Sequence, residues 1–239
     1  MDAMQVSSDS PQEDEFALQA LGAPSFYDVM LCPPAWRELL EVLSESHGAG
    51  AARVNALQEF AAFLRLRDPR PLLLKSPTHS FAMPGLLHAL PGTRALYIVR
   101  PWRECTSSNY RMWRAMLARY SLAPWSDADV RQMVVAAYVK FAAGLERLAG
   151  CTRDRVAAIH YVQLANHPAE TLANVQRWLG IEFDSSAVER AAARVAAGRE
   201  LRAASPDPYE PGTDEIEALE VAAAQVDRAL APFMLGPAV

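Results

Sequence analysis

The sequence predicts a layered α/β fold with a mainly parallel sheet, and three observations carry that expectation. Three short apolar runs, Pro71–Lys75, Ala95–Arg100 and Arg155–Tyr161, have the length and the bounding turn or charge signals of strands. Amphipathic helical patterns separate them, and strands alternating with helices imply parallel crossover connections. With 239 residues, 51% of them hydrophobic, the chain can bury one sizeable core, read as a single domain over residues 1–239.

Taken in order, "SPQEDEFALQALG" reads as a helix, with Ser10 as N-cap, Pro11 in the first turn, acids after it and Gly22 beyond its end. Amphipathic helices follow near Ala35–Ser46 and Ala51–Arg67; in the second, Val54, Leu57, Phe60, Ala61 and Leu64 share a face. The first predicted strand leads into "HSFAMPGLLHAL", which Pro84 must kink or shorten. After the second strand come "RECTSSNYRMWRAMLARY" and a longer helix capped by Ser126 and closed at Gly150. The third strand is followed by "HPAETLANVQRWLG", opening on Pro168 and ending at Gly180, then by a helix near Ser186–Ala197 and a last one near Asp214–Leu230. The apolar runs are continuous rather than alternating, which predicts strands covered on both faces.

Composition narrows the function classes. A net charge of -5 argues against nucleic-acid binding, which needs a basic footprint. Three dispersed cysteines, Cys32, Cys105 and Cys151, give neither a disulfide framework nor a thiolate zinc site, and the five histidines have no metal-ligand spacing, so no metal is expected. No apolar run approaches the ~20 residues needed to span a bilayer. The N-terminus is acidic and polar, unlike a signal peptide, and the expectation is a soluble, cytoplasmic protein.

Chemistry enters at the strand ends. Lys75, Arg100 and Tyr161 each close one predicted strand, and Pro77 and Pro101 follow the two cations. Parallel sheets bind ligands beyond the carboxyl ends of their strands, so parallel neighbours would direct all three side chains to one crevice. Helices starting just after the prolines would add unpaired N–H groups that attract anions. Ser76, Thr106, Ser107 and Ser108 could supply hydroxyls. Together these describe a phosphate-type site, although charged residues also mark strand ends simply because strands end at solvent.

The stretches "LLLKSPTH", "LYIVRPWRECTSSNY" and "IHYVQLANHPAETLANVQRWLGI" resemble successive motifs of the sulfotransferase family that uses 3'-phosphoadenosine 5'-phosphosulfate, its bacterial-type branch above all. The likeness covers most of Met1–Phe183. It implies a P-loop-like α/β fold and transfer of a sulfuryl group from that donor to the hydroxyl or amine of a small-molecule, glycan or lipid acceptor. It also implies that Arg100 and Ser108 hold the 3'-phosphate, that Tyr161 lies near the adenine, and that Lys75 neutralises charge developing on the phosphosulfate. The proton acceptor stays open among His79, Glu13 and Glu15, all of which also read as ordinary helix-start residues.

One departure from the family is large. No G-x-x-x-x-G-K-[ST] and no P-x-S-G-T-T-like stretch is present to wrap a 5'-phosphosulfate. The family-like segment begins almost at Met1, so the early strand–loop–helix is expected to be missing, the domain to be N-terminally truncated and the activity of this chain to be weak. A non-catalytic relative that binds a nucleotide or a partner is the alternative. A nucleotide kinase is disfavoured, because neither a Walker lysine nor a magnesium-binding acid after a strand is evident.

Overall fold

The computed structural model describes residues 13–44, 49–182, 184–191, 193 and 209–236. Its sheet is a parallel pair, β1 (Ala95–Val99) and β2 (Val156–His160), in register from Ala95 opposite Val156 to Val99 opposite His160. Nine helices are named here: α1 (Glu15–Ala20), α2 (Trp36–Ser44), α3 (Ala49–Arg65), α4 (His79–Ala89), α5 (Trp102–Tyr120), α6 (Asp127–Leu145), α7 (Tyr161–Asn166), α8 (Pro168–Leu179) and α9 (Thr213–Leu230). A further helical stretch covers 185–191. Short 3-10 turns lie at Phe26–Met30 and Pro33–Ala35. Among the described residues no helix is long and apolar enough to cross a membrane.

The expected parallel pairing holds for two strands and fails for one. Residues 71–75 have no regular secondary structure and form no ladder among the described residues. Prolines explain both facts. Pro69, Pro71 and Pro77 bracket the segment; they remove ladder donors and press the residues before them into extended backbone. Leu73 and Lys75 point to solvent, whereas Leu72 and Leu74 are half-buried. Coverage on both faces is also true of one strand only. Every residue of β2 up to Ile159 is buried, while β1 alternates, with Leu96 and Ile98 exposed. β2 is interior because the amide of Leu235 donates to the carbonyl of Ala158 at 2.8 Å on its other side.

The helix punctuation performs as the sequence predicts. Gly22, Gly150 and Gly180 all adopt positive φ where a helix or 3-10 turn stops. Ser126 and Asp129 form a reciprocal cap on α6. The N-terminal helix is shorter than expected, starting at Glu15, and residues 10–12 lie outside the described ones, as does much of the predicted helix Ser186–Ala197. α4 runs on through Pro84. Its end is tied to β2 by Arg155, which precedes the strand and donates to the carbonyls of Leu87, Leu90 and Thr93 at 2.8–2.9 Å.

Three apolar clusters hold these pieces. Phe26, Trp36, Trp113, Leu117 and Met133 join α2, α5 and α6. Tyr97, Leu145, Val156, Ala158, Val226 and Leu230 seat the sheet on α6 and α9. Leu18, Ala56, Leu57 and Leu86 join α1, α3 and α4. α6 runs through the first two clusters. α4 follows Lys75 and α5 follows Arg100, so both cations do precede helix starts, and each proline sits just ahead of its first helical residue.

Candidate functional site

Arg100 leaves β1 and stands at the start of α5. Its guanidinium lies over the Tyr161 ring, 4.7 Å from the centroid, and reaches Glu104 at 3.3 Å. Tyr161 closes no strand; it is the first residue of α7, directly after β2. Adjacent parallel strands thus deliver these two residues to one place. The Arg100 Nε is buried and has no hydrogen-bond partner among the described residues. A buried donor without an acceptor is costly, and a phosphate oxygen is a natural partner for it. Glu104 and Ser108 are one helical step of four apart, so Ser108, half-buried, shares the α5 face that Arg100 touches. Burial pushes the nearby Cys105 thiol up in pKa, against the pull of the Arg100 charge.

Two hydroxyls named from sequence are committed elsewhere. Thr106 donates back to the Trp102 carbonyl at 2.8 Å, and the hydroxyl of Ser107 accepts from Arg111 at 3.1 Å; both residues are buried.

Lys75 has different company. Its ammonium donates to Glu13, whose other carboxylate oxygen accepts from the Tyr27 hydroxyl. Burial, then the Glu13 hydrogen bond and charge, push the Tyr27 phenol far above its ordinary range, so Tyr27 stays a proton donor to Glu13. The Tyr27 ring packs edge-on against Trp113 of α5, with centroids 6.0 Å apart. The same helix therefore supports both the Arg100 and the Glu13 groups. Glu13 and Lys75 also edge a groove of about 460 Å3 whose other walls include Phe16, Phe60, Leu64, Leu73 and Leu74.

Beneath this pair lies a buried polar cluster. Glu15, with no exposure, accepts from both terminal nitrogens of Arg53 and from the hydroxyls of Ser25, Thr78 and Ser76. Burial alone would raise the Glu15 carboxyl, but the Arg53 hydrogen bond and charge, with Ser25 and Thr78, bring it below its ordinary value. His79 is 6% exposed; its Nε2 faces Asp14 Oδ2 at 2.7 Å and its Nδ1 faces an Arg53 terminal nitrogen at 3.2 Å. Of the candidate proton acceptors, the structure places Glu13 beside the groove, and Glu15 and His79 beneath it.

Tyr27, Asp14 and Arg53 were not singled out from the sequence. The one available signal is Ser25 with Asp28, a short capping pattern that orients "FYD" toward Glu13. Arg53 carried none, because an arginine in the first turns of an amphipathic helix normally faces solvent. Among the described residues no group of three His, Cys, Asp or Glu side chains is placed to hold a metal ion.

Comparison with known proteins bears on the family and the fold. The sequence profile described as "Sulfotransferase family" matches residues 9–185. The omega-hydroxy-beta-dihydromenaquinone-9 sulfotransferases Stf3 of Mycobacterium bovis and Mycobacterium tuberculosis are each 27% identical over 188 residues, 76% of this chain and 48% of theirs. The chain thus spans about half the length of the curated relatives it matches. The crystal structure of sulfotransferase STF9 from Mycobacterium avium superposes with a TM-score of 0.64 at 16% identity, over 98% of this chain and 62% of that one, which shows a shared fold.

Proposed function

The chain belongs to the sulfotransferase family, and from that premise we propose that it takes part in sulfuryl transfer to the hydroxyl of an apolar, lipid-like acceptor. The observation that carries this reading is the groove. The carboxylates of Glu13 and Asp14 and the ammonium of Lys75 share the lining with Phe16, Ala17, Phe60, Leu64, Leu73 and Leu74, so most of the wall is aromatic or aliphatic. An acceptor with an oily body and one hydroxyl matches such a lining. The relatives named for a hydroxylated menaquinone are consistent with that class.

The donor fit rests on the free Arg100 Nε, the only one of these groups with an unmet, buried need for an acceptor among the described residues of the Arg100 end. Arg100 and Ser108 would hold the 3'-phosphate of 3'-phosphoadenosine 5'-phosphosulfate, with Tyr161 beside the adenine. That co-substrate supplies the activated sulfuryl group. An arriving phosphate would displace Glu104, an exposed partner, from the guanidinium.

The chain's own residues then divide the work. Glu13 accepts the proton of the acceptor hydroxyl as the acceptor oxygen bonds to sulfur and the bond from sulfur to the phosphate oxygen breaks. Lys75, on a mostly exposed stem, turns from Glu13 toward the negative charge left on that phosphate. Tyr27 holds the far oxygen of Glu13 and sets its orientation.

The test is transfer of labelled sulfate from the donor to a panel of long-chain alcohols, aryl alcohols and sugars. Transfer to the apolar alcohols, lowered about 100- to 10,000-fold by Glu13→Gln, is expected. Preference for sugars, or indifference to Glu13→Gln, would overturn the assignment. Binding of adenosine 3',5'-bisphosphate with no transfer to any acceptor would favour the nucleotide-binding reading.

A further inference from the structure

The buried cluster under the Glu13–Lys75 pair constrains what His79 can do. Arg53 has only N–H donors. Its Nη2, whose two hydrogens are shared among Glu15, Thr78 and the ring nitrogen 3.2 Å away, faces Nδ1 as a donor, which favours an Nδ1 without a proton. The proton then sits on Nε2, where it is donated to Asp14 Oδ2 at 2.7 Å. Both ring nitrogens are in use and the side chain is buried. A general base needs a lone pair within reach of the acceptor's proton, and this imidazole has committed its lone pair to Arg53.

The cluster also explains why Glu13 and Lys75 meet. Asp14 follows Glu13 directly, and Ser76 follows Lys75 directly. Asp14 is held by His79; Glu15 is held by Arg53, Ser76 and Thr78. Two chain segments, 13–15 and 75–79, are thereby clamped together from below, and the outer residues Glu13 and Lys75, with Asp14, line the groove. No strand ladder performs this task at 71–75.

Resting on the sulfotransfer reading of the Glu13–Lys75 site, we propose that His79 is a positioning residue: a neutral imidazole protonated on Nε2 that holds Asp14 and, through it, fixes Glu13 against Lys75. His79 does not take the acceptor's proton.

Two measurements decide this. Long-range proton–nitrogen correlation spectra of the selectively labelled chain report which ring nitrogen carries hydrogen, with no need for catalysis. A proton on Nε2 and a bare Nδ1 at neutral pH are expected; a doubly protonated ring or the opposite tautomer would overturn the proposal. Replacement supplies the second measurement. His79→Gln keeps an amide donor where Nε2 stood, and His79→Leu keeps none. His79→Gln should hold kcat within about 5-fold of the parent, while His79→Leu lowers it about 10- to 100-fold through a displaced base. Equal losses of about 100-fold or more in both would show His79 to be the base. Proximity of the Lys75 ammonium to the Glu13 carboxylate, followed by NMR, should survive in His79→Gln and vanish in His79→Leu. Persistence of the pair in His79→Leu would sink the clamp even if no acceptor is ever found, whereas a positive clamp result with no transfer would fault only the reading of the activity. Should His79→Leu fail to fold, the tautomer and the His79→Gln comparison still decide.

Discussion

The two places where a cation follows an apolar run are alike in sequence and opposite in construction. Arg100 follows a real strand. β1 is fixed in register to β2, and the guanidinium is held by stacking on Tyr161 with its Nε buried and unsatisfied. Lys75 follows an irregular segment that joins no ladder among the described residues, and its own side chain is 70% exposed. What fixes that end is the buried Arg53–Glu15 ion pair beneath it, with Asp14 and His79 hydrogen-bonded alongside. Rigidity comes from backbone pairing at one site and from buried charge at the other. The two should therefore fail under different perturbations.

The largest difference is expected from Arg53→Met. Removing one partner leaves the Glu15 carboxylate buried without its counter-charge, which typically costs about 3–5 kcal/mol. The denaturant midpoint should fall accordingly. Whatever folded population remains should still bind adenosine 3',5'-bisphosphate, because the Arg100 end does not depend on the cluster. A loss below about 1 kcal/mol would mean that the cluster does not hold the Lys75 end.

Acid should act on the same end. The Glu15 carboxyl titrates below its ordinary value of 4.5 in the folded protein. A carboxylate depressed on folding contributes its stability in full above the ordinary value and loses it as pH falls through the lower, folded one. Stability should thus begin to decline below about pH 4.5, and this part of the decline should be missing in Glu15→Gln. An identical acid profile for the two proteins would contradict the sign.

How much of this contrast was legible beforehand follows from the same physics. β1, β2, their parallel pairing and the helix starts at Trp102 and Pro168 could be read locally, because apolar runs, proline and glycine act within a few residues. Residues 71–75 looked like a third strand because their composition is that of one; whether a ladder forms depends on a neighbour, which composition does not reveal. The Arg100–Tyr161 contact was foreseeable from strand ends alone. The cluster was not, since it joins positions 14, 15, 25, 53, 76, 78 and 79, and only convergence in space turns an arginine of α3 into the partner of a buried glutamate. His79 and Glu15 read equally as candidate bases and as ordinary helix-start residues, because sequence offers no way to tell burial from exposure to substrate.

At the Arg100 end the expected effect is on binding rather than folding. Arg100→Ala should weaken adenosine 3',5'-bisphosphate by about 10- to 100-fold in titration calorimetry, the equivalent of one or two charge-assisted hydrogen bonds. Lys75→Ala should weaken it less, because its ammonium would meet the 5'-phosphate from a mostly exposed position and give up its pairing with Glu13 to do so. Equal losses from the two replacements would show that Arg100 is not the main anchor. Ser108→Ala should cost less than Arg100→Ala, about 0.5–1.5 kcal/mol for one neutral hydrogen bond.

The smallest effect sharpens the contrast most. Lys75 pairs with Glu13 in full view of solvent, where the energy of an ion pair is offset by side-chain entropy and screened by salt. Lys75→Met should therefore shift the denaturant midpoint by no more than about 0.5 kcal/mol, against several for Arg53→Met. The same replacement should still impair sulfuryl transfer, because charge at the leaving side matters only as that bond breaks. Stability and activity would then separate cleanly within one short segment: residues 76–79 would carry the folding energy and residue 75 the chemistry. A Lys75→Met protein destabilised as strongly as Arg53→Met would reassign the lysine to the scaffold and leave the groove without its cation.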